Sequence, residues 1–119
     1  MIYHITARQS WQEAQQRGEY RAASLESEGF IHCSTHTQVL PVAEKYYKGQ
    51  LGNVLLMIDP SLLTSELRWE PPSGGAPPPS VPEGEQFPHI YGPINLDAIV
   101  KVFDLETNPD GSYKLPAFD

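Results

Sequence analysis

Cysteine is almost missing from this chain. Cys33 stands alone, so no disulfide can form within it, and a reducing compartment fits. Positive charge is scarce too: eight Lys and Arg face fifteen Asp and Glu, for a formal net charge of −7 over 119 residues. That balance weighs against non-specific binding to nucleic acid or to anionic membranes, although Arg8, Arg17, Arg21 and Arg68 remain for a small basic patch. No apolar run approaches the ~20 residues of a membrane-spanning helix. The start, Met1-Ile2-Tyr3-His4, has neither the basic region nor the apolar stretch of a secretory signal. There is no internal repeat, phosphate loop, dinucleotide fingerprint or serine elbow. The expectation is a soluble, cytoplasmic protein of one domain, 1–119, with no membrane partner and with nucleic acid disfavoured.

Hydrophobic residues make up 39% of the chain and charged ones 19%, the balance of a globular protein. Ile2 to Thr6 reads as a strand with Ile2, His4 and Thr6 on one face. Ser10 and Glu13 have the spacing of a capping box for a helix that stops at Gly18, and Tyr20 to Glu28 reads as a connector. Phe30 to Ser34 is a strand with Phe30, His32 and Ser34 on one face. Thr35 or Thr37 then caps a helix to about Tyr47, with Pro41 tolerated only in its first turn. Val54 to Ile58 is uniformly apolar, the pattern of a strand buried on both faces. Asp59 caps a single turn through Leu63, and Leu67 to Glu70 is a short strand. The segment 71–84 holds six prolines and three glycines in fourteen residues, the composition of a long loop that serves as a floppy insert, as a lid, or as a docking segment for a protein partner. Strands follow at Phe87 to Tyr91, with Phe87, His89 and Tyr91 on one face, and at Ile99 to Leu105. Asn108 to Gly111 is a turn before an edge strand at Tyr113 to Leu115. The sum is an α+β fold of six or seven strands with two helices in the first half.

Two strings carry most of the chemistry: Glu28-Gly29-Phe30-Ile31-His32-Cys33-Ser34 and Phe87-Pro88-His89-Ile90-Tyr91-Gly92. With His4 they place three histidines on strands. Histidine titrates nearest physiological pH, so three of them around one cavity would hydrogen-bond a sugar diol or carry protons. The plainer alternative is three separate buried histidines bonded to backbone. Three histidines would also suit a catalytic zinc, making the chain a zinc-dependent hydrolase, but only His32 and His36 are closely spaced and they span a strand end. Cys33 points away from His32 in a strand, which favours a small buried apolar side chain over a nucleophile. Glu70, after Trp69 at a strand end, is the candidate carboxylate. Trp11, Trp69, Phe87 and Tyr91 are candidates to stack on a base, or members of the core.

These two strings in this order, with Ile2-Tyr3-His4-Ile5, Ser24-Leu25, Gln38 and Trp69-Glu70, resemble the domain-of-unknown-function family 952 of bacteria and plants. The likeness spans nearly the whole chain; the proline-rich segment looks like an insertion. That family in turn resembles a small ADP-ribosyltransferase fold, a split β-sandwich that binds NAD and that RNA 2′-phosphotransferase shares. The resemblance implies that His4 holds the ribose, that Gly29 to Ser34 and the helix after it flank nicotinamide with His32 in the site, and that His89 replaces the usual catalytic glutamate. A neutral imidazole cannot stabilise a developing oxocarbenium ion as a carboxylate does, unless Glu70 or Glu85 fills in. The expected site is therefore His32, His89 and Glu70 as the reacting groups. His4, Ser24, Ser34, Gln38 and Tyr91 would contact an NAD-like or other nucleotide ligand, with no cofactor or metal required. A second expectation is a non-catalytic interaction module that docks a protein partner through 71–84.

Overall fold

The computed structural model describes residues 1–72 and 77–116. Strand β1 (Ile2–Ala7) pairs antiparallel with β4 (Asn53–Ile58), from Ile2 opposite Ile58 to Ala7 opposite Asn53. On its other edge β4 pairs antiparallel with β8 (Ile99–Asp104), with a register shift between Met57 and Ile58. In this three-stranded sheet β4 is central, and its Val54, Leu55, Leu56 and Ile58 are fully buried.

The reason is that both faces of the sheet are covered. On one, Ile2, Val54, Leu56 and Ile58 pack with Ala14 and Trp11 of helix α1 (Arg8–Arg17) and with Ile31 and Ile90 of a second sheet. On the other, Tyr3, Ile5 and Leu55 pack with Val39 and Ala43 of helix α3 (Val39–Tyr46), and with Leu105 and Tyr113. Period-two alternation in β1 divides its side chains between the two cores. The apolar run 54–58 serves both at once.

The second sheet has β6 (Phe87–Tyr91) between β3 (Ile31–His32) and β5 (Glu66–Glu70), all antiparallel. A two-residue ladder joins it to the first: Tyr3 and Ser34 exchange both backbone hydrogen bonds at 2.8 Å. Two short pairs complete the set, β2 (Glu19–Tyr20) with β7 (Ile94–Asn95) and β9 (Glu106–Thr107) with β10 (Tyr113–Lys114).

The architecture is thus mixed α/β, with ten short strands and three helices among the described residues. Several local expectations change. The Ser10–Glu13 capping box does not form, because β1 runs through Ala7 and the helix begins at once. Ala7 makes no side-chain cap, and the Arg8 amide instead donates to the Gly52 carbonyl at 3.0 Å. Gly18 does end α1, in the left-handed conformation (φ 93°) that glycine adopts without strain. The connector 20–28 contains the end of β2 and a five-residue helix, α2 (Ala23–Ser27), too short for a periodic signal. Neither Thr35 nor Thr37 caps α3. Gln38 precedes the helix, and its side chain accepts from the Thr35 amide and donates to the Gln86 carbonyl, both at 2.9 Å. Pro41 is the third residue of α3, inside the first turn where no intrahelical donor is needed. In the proline-rich segment, residues 73–76 lie outside the described ones.

Candidate functional site

The register of the second sheet assembles the site. His32 lies opposite His89, and His89 lies opposite Arg68 on its other side. Alternation therefore sends Phe30, His32, Phe87, His89, Tyr91, Arg68 and Glu70 to one face, while Ile31, Ile90 and Leu67 turn into the core. The His32 and His89 rings meet edge to face, centroids 5.4 Å apart. Phe30 stacks on His89 at 4.3 Å and presents an edge arrangement to His32 at 4.8 Å.

Each of these imidazoles has its own carboxylate. His89, whose side chain is only 3% exposed, donates from Nδ1 to Glu70 Oε1 at 2.9 Å. The same oxygen accepts from the Tyr91 hydroxyl at 2.6 Å. The Tyr91 bond, and then the His89 bond, hold the Glu70 carboxyl below the usual carboxylate range. His32, 41% exposed, has Nε2 bonded to Glu28 Oε2 at 2.9 Å. For His89 the Glu70 bond fixes the tautomer: with the proton on Nδ1, Nε2 is left as a lone pair. No buried side-chain nitrogen or oxygen among the described residues lacks a partner, and His89 Nε2 bonds to none of those residues. It is therefore not sealed in the interior, and the His89 residue lines a cavity.

His4 is different. Its Nδ1 donates to the His32 carbonyl at 2.6 Å, and its Nε2 lies 2.8 Å from the Tyr20 hydroxyl, itself 2.9 Å from Thr6 Oγ1. Burial pushes its pKa down to about 4, so at neutral pH the ring is neutral and Nε2 accepts. The Tyr20 hydroxyl thus bridges His4 Nε2 and Thr6 Oγ1. Both nitrogens of His4 are committed. The ring ties β1 to β3 and forms part of the wall rather than a free acid or base.

The cavity holds about 700 Å³, within the range of small-molecule sites. It runs between the two sheets. Of the residues the sequence singled out for a ligand, His4, Ser24, His32, Ser34, Phe87 and His89 line it. Glu70 and Tyr91 stand behind His89 instead, and Gln38 is buried as a clamp between Thr35 and Gln86. Cys33 is on the wall, but burial raises its thiol pKa far above the usual value, which leaves it inert. Among the described residues no three His, Cys, Asp or Glu form a group fit for a metal ion, so the zinc reading has no donor set there. Nor is any described helix long and apolar enough to cross a membrane.

Two of the wall residues that escaped sequence reasoning matter most for the geometry. Tyr20 sits in a two-residue strand that no periodicity marks. Glu28 opens one of the two informative strings, but its link to His32 depends on the bend at Gly29, whose φ is 88°.

The fold and the cavity define a small mixed α/β protein with paired imidazole–carboxylate units at the junction of two antiparallel sheets. The chain belongs to the family described as a protein of unknown function, DUF952, which matches residues 5–102. It is similar to protein CC0527 of Caulobacter crescentus. The crystal structure of that protein has a TM-score of 0.80 at 32% identity, covering 95% of this chain and 92% of that one. Its solution structure has a TM-score of 0.74 at 33% identity, covering 93% and 89%. Among curated proteins none matches.

Proposed function

We propose that the cavity binds a nucleotide-like ligand through its ribose, and that His89 accepts a proton from a hydroxyl placed there. The observation that carries this is the Glu70–His89 pair: Nδ1 is held by a carboxylate at 2.9 Å, Nε2 has no partner among the described residues, and His89 lines the cavity. A carboxylate on Nδ1 orients an imidazole and stabilises the imidazolium that forms when Nε2 takes a proton. Ser24, Ser34 and Thr6 add hydroxyls along the wall, and Tyr46 and Tyr47 add aromatic surface for a heterocycle. His4 shapes the pocket, neutral and fully bonded.

The likeness to ADP-ribosylating enzymes supplies the ribose part of this reading. It favours proton transfer over ribosyl transfer, because the place of the glutamate is held by His89. Glu70 reaches that histidine and does not line the cavity, and the carboxylate that does line it, Glu28, is bonded to His32. NAD and ADP-ribose are accordingly read as ligands rather than as ribosyl donors.

Thermal unfolding with millimolar NAD, ADP-ribose or a nucleoside monophosphate tests the reading. A ligand at a hundredfold excess over Kd stabilises by about 2.7 kcal/mol, which for a domain of this size raises Tm by roughly 10 °C. His89→Ala and His32→Ala should abolish the rise. No rise with any of these ligands, or an undiminished rise in both variants, overturns it.

A further inference from the structure

From the paired imidazoles we infer a reaction: hydrolysis of a singly charged phosphodiester of a ribonucleoside, with His89 as base and His32 as acid. This rests on the ribonucleotide reading above and names the chemistry of that site. Three observations carry it. First, two imidazoles on adjacent strands face one cavity with ring centroids 5.4 Å apart, and each has its own carboxylate, Glu70 or Glu28. One oriented imidazole is enough to bind or to accept a proton; two suit a reaction that needs a proton removed at one atom and delivered at another. Second, the rings differ in access. His89 is 3% exposed, whereas His32 is 41% exposed and so in contact with solvent. Third, the described cavity wall carries one arginine, Arg21, already bonded to Glu19 at 2.6 Å, and one carboxylate, Glu28. That balance suits the single negative charge of a diester better than a pyrophosphate or a dianionic monoester.

In the step, water attacks phosphorus while His89 Nε2 takes its proton. A new P–O bond forms and the P–O bond to the leaving ribose oxygen breaks. Protonated His32, its Nε2 held by Glu28, gives the proton on Nδ1 to that oxygen, so no alkoxide is released. The product is a phosphomonoester beside a free ribose hydroxyl. His89 ends protonated and His32 neutral; solvent returns one proton to His32 and takes one from His89. No oxidant, reductant or second substrate enters. Glu70 and Tyr91 are positioning residues, acting through His89.

The test uses the full chain and a nucleoside 2′,3′-cyclic phosphate, followed by phosphorus NMR, with binding of the same compound measured by calorimetry. The expected result is conversion to a monophosphate with a bell-shaped pH profile. His32→Ala and His89→Ala should each slow it by a hundredfold or more. Because His32 is exposed, His32→Ala keeps the test open if the His89 variant fails to fold. Glu70→Gln should slow turnover and alter the limb of the profile that reports the base, with little change in KM. Tight binding without conversion overturns the inference and leaves the ribonucleotide reading standing. Neither binding nor conversion overturns both. Conversion unchanged in His32→Ala assigns the activity elsewhere and overturns the inference.

Discussion

His4 gives the residue scale its sharpest consequence. In the folded chain its pKa is about 4, against 6.5 for the free side chain, because burial penalises the charged ring. Between those values the unfolded chain binds a proton that the native one refuses, so stability falls as pH drops from about 6.5 to about 4 and levels below that. The loss approaches about 3 kcal/mol. Denaturant unfolding across this window should show the decline, and His4→Gln should flatten it even if the variant is less stable at pH 7. Glu70 makes the complementary case. Its carboxyl is held down first by Tyr91 and then by His89, so Tyr91→Phe should raise its pKa, read by carbon NMR of the carboxyl. The three histidines were legible as strand residues, and alternation assigned each to a face. Their division of labour was not legible. That His4 spends both nitrogens on His32 and Tyr20, while His89 keeps one open, depends on partners 28 and 16 residues from His4 and 19 from His89.

Among elements, the β6–β7 turn is the tightest constraint. A Cβ at Gly92 would collide with Ser65 Oγ and come within 2.9 Å of Ser65 Cβ, and the residue sits at φ 155°. Gly92→Ala should therefore cost about 1–3 kcal/mol in denaturant unfolding. Combining it with Ser65→Gly should recover the steric share but not the backbone share. The central strand β4 shows what pattern reading does well: a run apolar on both sides requires a sheet covered on both sides, and Leu56→Ala there should cost about 2–5 kcal/mol. Short elements went unseen. β2 has two residues and α2 five, and neither spans enough chain for a period to show. The expected capping box failed for a related reason: it was local, and pairing of Ala7 with Asn53 outranked it.

For the whole molecule, a net charge of −7 on a small body means self-repulsion that salt screens. Raising sodium chloride from low to moderate concentration should increase Tm by a few degrees at neutral pH; a fall would mean that local ion pairs such as Arg68–Glu66 dominate. Composition and alternation were sufficient for a mix of helices and antiparallel strands, though not for their number, and for the doubly buried strand and the faces carrying the histidines, because those follow from which side chains avoid water and from the two-residue period of a strand. The cavity, the Glu70 carboxylate behind His89 and the commitment of His4 arise from strand order and register. Those are settled when distant segments pair: His32 meets His89 across 57 residues, and no local pattern encodes a contact made at that separation.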